Sequence, residues 1–120
     1  MDLTDSLRGD ELLDMDRALE YVQGDEEFLK EILQIFLEEI PQRVDSFQAA
    51  IADNDMKKMA NLAHSLKGSA MAIGAAECHN LAKNVEEAAG NENKTETLTQ
   101  YSLLEQNLEG LRNLLDQMDL

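Results

Sequence analysis

The stretch Ala63-His64-Ser65-Leu66-Lys67-Gly68-Ser69-Ala70 decides how this chain reads. Projected at about 100° per residue, positions 56–74 put Met59, Leu62, Ala63, Leu66, Ala70 and Ile73 in one sector, the stripe a helix buries. His64 points nearly the opposite way, whereas a core histidine would fall among the apolar residues. Lys67 follows at i+3 and Gly68 at i+4, so an ammonium group can reach whatever the imidazole carries, and a missing side chain leaves room beside it. Glycine inside a helix costs roughly 1 kcal/mol relative to alanine, which makes its presence here a choice rather than a convenience. A nucleophilic ring, a cation and an open approach on one face suit the carrying of a phosphoryl group.

Outward from this segment the chain reads as all-α. It has one proline, few aromatic residues and no alternating β-branched runs. A short first helix is expected over 12–22, with Leu12, Met15, Leu19 and Val22 on one stripe and Gly24 closing it. Asp25 caps a second helix over 26–52, in which Pro41 removes one backbone bond and is expected to kink the axis. Asp55 caps the helix of His64, and Gly74 ends it. Residues 76–89 form the next helix, 90–93 a polar loop, and 95–118 a last helix through Leu98, Tyr101, Leu104, Leu108, Leu111 and Leu115. Short connections make neighbours antiparallel, so the expected architecture is an up-and-down four-helix bundle with the short N-terminal helix as an accessory. Residues 1–11 read as a tail and 12–120 as one domain.

Composition narrows the function classes. A formal charge of −15 disfavours nucleic acid and anionic membranes, both of which call for clustered Lys and Arg. The first residues lack the basic and apolar segments of a secretory signal, no stretch approaches the ~20 apolar residues of a membrane span, and Cys78 is the only cysteine, so the chain reads as cytoplasmic. Nucleotide-binding glycine loops, a nucleophile elbow and zinc-protease spacings are all missing, which argues against a stand-alone enzyme. His79 and Cys78 are adjacent but diverge by about 100° on a helix, and no metal or other cofactor is expected in this chain.

The central octet resembles the histidine-containing phosphotransfer (HPt) domain of multistep phosphorelays, whose pattern His-x-Leu-Lys-Gly-Ser/Ala with a later Gly reads here as His64, Leu66, Lys67, Gly68, Ser69 and Gly74. Gly24-Asp25-Glu26-Glu27, Phe36 and Leu37 followed by Pro41, Asp55 and Glu86 agree more weakly, so that the resemblance spans roughly 14–118. It implies a phosphorelay intermediate. A phosphoaspartate on a response-regulator receiver domain would pass its phosphoryl group to His64, which would hand it to another receiver aspartate. A hybrid histidine kinase would be a further partner, the chain would act as a monomer, and the receiver would supply Mg²⁺ and most of the catalytic groups. The alternative is an acidic helical adaptor with the same fold that carries no phosphate.

Antiparallel geometry adds residues that periodicity alone does not. If the turn centres on residue 75, equal rise sets position 64 level with 86, 67 with 83 and 71 with 79. Glu86 is then placed to accept a hydrogen bond from Nδ1 of His64, fixing the tautomer and leaving Nε2 as nucleophile. Lys83 adds to the positive field, while a salt bridge from Glu86 to Lys83 or Lys67 is the plainer reading. The family often has Gln or another polar residue at this position, and a full negative charge near a phosphoryl group carries a cost. Met71, Met15 and Leu12 are the expected apolar docking residues for the receiver.

Overall fold

The computed structural model describes residues 12–120, so the expected tail over 1–11 lies outside the described residues. Among the described residues five helices follow one another: α1 (Met15–Tyr21), α2 (Glu26–Ala52), α3 (Met56–Ala72), α4 (Ala76–Gly90) and α5 (Lys94–Gln117). Among the described residues there is no strand, and no helix is long and apolar enough to cross a membrane. The chain is an all-helical bundle, as its periodicity predicts. α3 packs mainly on α4 and α4 on α5, while α2 closes the bundle against both α3 and α5.

Local chemistry sets the boundaries. Asp14, Asp25, Asp55 and Asn93 each accept a hydrogen bond from the backbone N–H three residues on, satisfying a donor that the first turn leaves free. The ends of α1, α2, α3 and α4 close alike. In each, one N–H returns to a carbonyl five residues back, as from Ala75 to Ala70, and the preceding N–H to one three residues back, as from Gly74 to Met71. This closure forces a left-handed residue, supplied by Gln23, Asn54, Gly74 and Glu92. α2 runs unbroken through Pro41.

The first helix begins later than its apolar stripe predicts. Asp14 adopts extended backbone and caps α1 through its side chain, while its N–H donates to the Gly74 carbonyl at 2.9 Å. Leu12 and Leu13 therefore precede α1, and both are buried. Leu12, 8% exposed, packs close to Gly110 of α5, which corrects its expected place on a docking surface. With α1 pinned to the α3–α4 turn, Leu12 and Leu13 lie against the bundle.

The core is continuous from Leu33, Phe36, Ile40 and Phe47 of α2 through Met59, Leu66 and Ala70 of α3 and Val85 of α4 to Leu104, Leu108, Leu111 and Leu115 of α5. Phe47 and Tyr101 stack at 4.9 Å between centroids. Buried Cys78 has its thiol pushed up to about 12 by desolvation, so it packs as a small apolar group.

Two glycines differ sharply. A β-carbon at Gly74, where φ is +75°, would stand 2.5 Å from the Asp14 carbonyl oxygen, whereas one at Gly68 would meet nothing within 4 Å. Gly74→Ala should thus destabilise the protein by about 2–4 kcal/mol, through strain and a backbone clash, and Gly68→Ala should stabilise it by up to about 1 kcal/mol. Urea unfolding of both variants checks the contrast, and equal midpoints would refute it.

Candidate functional site

His64 lies midway along α3, on the side away from Ala63 and Leu66, and its side chain is 69% exposed. The helical period dictates this, because Ala63, Leu66 and Ala70 form the buried stripe and His64 lies about 100° or more from each of them. Its Nδ1 lies 2.7 Å from Oε2 of Glu86 on α4, and the other oxygen, Oε1, accepts from Nζ of Lys67 at 2.7 Å. One carboxylate therefore holds both functional groups of α3.

Side-chain direction makes this contact. Side chains on a helix tilt toward its N-terminus, and the two helices are antiparallel, so the long stem of Lys67 leans toward the level of His64 while Glu86 leans toward that of Lys67. They meet between the two levels. Lys83, on the same helix as Glu86, leans the same way and so away from the level of Lys67 and His64; it is exposed and takes no part in the network, although simple register placed it opposite Lys67. The structure thus joins the two readings of Glu86 that the sequence left open.

The hydrogen bond from Lys67 holds the Glu86 carboxyl below its ordinary value of 4.5, His64 acts in the same direction, and desolvation opposes both. An ionised carboxylate can only accept, so Nδ1 of His64 carries the hydrogen and the lone pair of a neutral ring is at Nε2, turned to solvent. The arrangement provides a nucleophilic nitrogen, an anion behind it to offset positive charge on the ring, and an ammonium group within reach.

Gly68 completes the approach. It is exposed one turn beyond His64, and nothing in the fold occupies the volume its side chain would take. Its lack of a side chain serves access to the ring, not packing.

Several neighbours escaped the sequence reading. His79 on α4 donates from Nδ1 to the Lys67 carbonyl at 3.1 Å, tying the two helices together one turn beyond the bridge. Arg43 of α2 donates from Nη2 to Oε2 of Glu39 at 3.1 Å and to Oγ of Ser69 at 3.0 Å. A groove of about 170 Å³ beside Ser69 is walled by Ile32, Ile35 and Phe36 of α2 together with Ala72 and Ile73. Ile35 is 53% exposed, and Phe28, Ile32 and Ile35 share one stripe of α2. Of the expected docking residues, Met71 is 48% exposed and lines a second hollow with Tyr21, His79 and Asn80. Met15 is half-buried and faces a separate groove with Leu19, Leu29 and Met118. The period of α2 was readable, but not which part of its apolar stripe the bundle leaves uncovered.

The pH dependence of the bridge has a definite sign. A carboxyl whose folded value is depressed contributes stability above the unfolded value, and that contribution is lost as pH falls through the folded value. A ¹³C titration should place the Glu86 midpoint below 4.5, and Lys67→Ala should move it upward. No movement in that variant would remove Lys67 as the main cause.

The Hpt domain family matches residues 31–119. Among solved structures, the HPT domain of an Hpt sensor hybrid histidine kinase from Shewanella superposes with a TM-score of 0.82 at 21% identity, covering 90% of this chain and 93% of that one. Histidine-containing phosphotransfer protein B (HptB) from Pseudomonas aeruginosa PAO1 superposes with a TM-score of 0.80 at 27% identity, covering 89% and 93%. No curated protein sequence gives a significant match.

Proposed function

Since the chain belongs to the Hpt domain family, whose members are phosphotransfer intermediates of phosphorelay signalling, we propose that His64 is its phosphoacceptor and Nε2 the reacting atom. The observation that carries this is the exposed ring with Nδ1 held by Glu86. A receiver domain approaches over Gly68, and the Nε2 lone pair attacks phosphorus as the bond to the aspartyl oxygen breaks in line. The aspartate leaves as a carboxylate. Nδ1 keeps its proton, so the ring becomes a phosphoimidazolium, and the Glu86 carboxylate offsets the positive charge that forms. A negative charge at this position thus has a use despite its nearness to the phosphoryl group. Lys67 turns from Glu86 toward the phosphoryl oxygens. Transfer to a second receiver reverses these steps.

This chain supplies the nucleophile and charge compensation. Mg²⁺ and most of the positioning belong to the receiver, in keeping with phosphoryl transfer being mainly orientation and electrostatics. The apolar surface of Ile32, Ile35, Ala72 and Met71 flanks Gly68 and suits a transient contact. It takes the place of Leu12, which is buried, and of Met15, which faces another groove.

Incubation with a phosphorylated cognate receiver should label the chain with an acid-labile, base-stable phosphate, and His64→Gln should abolish the label. Label persisting in that variant would overturn the assignment, while stable receiver binding with no label on the wild type would favour the adaptor reading. Ile35→Ala with Met71→Ala should weaken receiver binding by about 1–3 kcal/mol. Calorimetric titration checks this, and an unchanged affinity would move the docking surface elsewhere.

A further inference from the structure

The charge of this protein is unevenly placed. Against a net −15, α3 is the only one of the five helices with a net positive charge, holding Lys57, Lys58 and Lys67 and no carboxylate. The exposed side of α3 changes character along its length. Lys57 and Asn61 precede His64 on it, and Gly68, Met71 and Ala72 follow, all within one stripe of the helical period.

The N-terminal half of that stripe borders a pocket of about 350 Å³ between α2 and α3, lined by Arg43, Lys57, Lys58, Asn61 and Ser65. Its one carboxylate, Asp55, already accepts from the backbone N–H of Lys58. Arg43 is held at the back, its side chain 17% exposed, with Nη2 on Glu39 and Ser69 and Nε buried without a partner. Ser65, at the edge of this pocket, and Ser69, at the edge of the apolar groove, are successive turns of one helix. The pocket and the groove therefore flank the His64 level along α3.

We infer that the Arg43–Lys57–Lys58 pocket is the polar half of the docking surface and receives a carboxylate-bearing segment of the receiver, beside its phosphoaspartate. The inference rests on the phosphocarrier reading. The partner's chemistry follows from charge complementarity: whatever faces this pocket meets two free ammonium groups and amide and hydroxyl donors, in a chain whose other helices would all repel it. Apolar contact alone leaves a docked receiver free to swing about His64. An acidic contact at one end and an apolar one at the other fix a single direction of approach, bringing the receiver aspartate in line with Nε2. Steering by the net charge would call for a basic partner, and the local field at the site predicts the opposite.

The test uses the receiver that transfers fastest to the wild-type chain in a screen of phosphorylated receiver domains, with the half-saturating receiver concentration as readout. Lys57→Gln with Lys58→Gln is compared with Arg112→Glu, an exposed α5 substitution that changes the net charge by the same amount. Gln matches Lys in helix propensity, so the fold is kept. The lysine double variant should raise the half-saturating concentration about three- to tenfold and flatten its salt dependence, whereas Arg112→Glu should leave it within twofold. A lysine variant within twofold of wild type, or an equal effect from Arg112→Glu, overturns the pocket while leaving His64 as phosphoacceptor. If no receiver labels the wild type, the phosphocarrier reading falls and the pocket's role falls with it.

Discussion

The turn at Gly74 sets the antiparallel register of α3 and α4, and the contacts around His64 depend on that register. Its φ of +75° lets the Gly74 N–H return to Met71 while its carbonyl accepts from Asp14. No residue with a β-carbon fits, because the Asp14 carbonyl fills the place. One glycine thus fixes three things together: where α3 stops, how α4 comes back alongside it, and where α1 is anchored. A change of register by one residue would rotate Glu86 by about 100° about its helix and take it out of reach of both His64 and Lys67.

Within that register, Glu86 is shared. Its two oxygens hold an imidazole and an ammonium group at equal distances of 2.7 Å, and neither of those groups touches the other by a hydrogen bond. The carboxylate sets the tautomer of the ring and at the same time restrains Lys67, a side chain that would otherwise lose considerable entropy on being ordered. His79 braces the Lys67 carbonyl from the same helix. The site is built on two helices with no loop in it, which suits a group that must be held out to a partner in one geometry.

Electrostatics follow a similar division. Carboxylates dominate four of the helices, and the helix that bears His64 is cationic. The net charge therefore describes long-range repulsion, while the helix that bears His64 carries charge of the opposite sign. Sequence totals average over this difference: Lys57 and Lys58 border one pocket beside α2, while Lys67, on another side of the same helix, pairs with Glu86 of α4.

What the sequence by itself determined is everything set within one helix. The apolar period, the capping residues and the left-handed stop at Gly74 located α2 to α5 to within a residue or so, and the same period put His64, Lys67 and Gly68 on an exposed face. Even the pairing of His64 with Glu86 was legible, because a tight turn and equal rise leave little choice of register. What only the tertiary structure decided is which side chains lean toward one another and which apolar stripes remain uncovered. Lys67 reaches Glu86 and Lys83 does not, Leu12 is buried against α5, Ile32 and Ile35 of α2 stay open beside Ser69, and Arg43 crosses from α2 to α3. These depend on side-chain direction and on contacts between residues far apart in the chain. Periodicity says which face of a helix is apolar, but only packing against the other helices says how much of that face is covered.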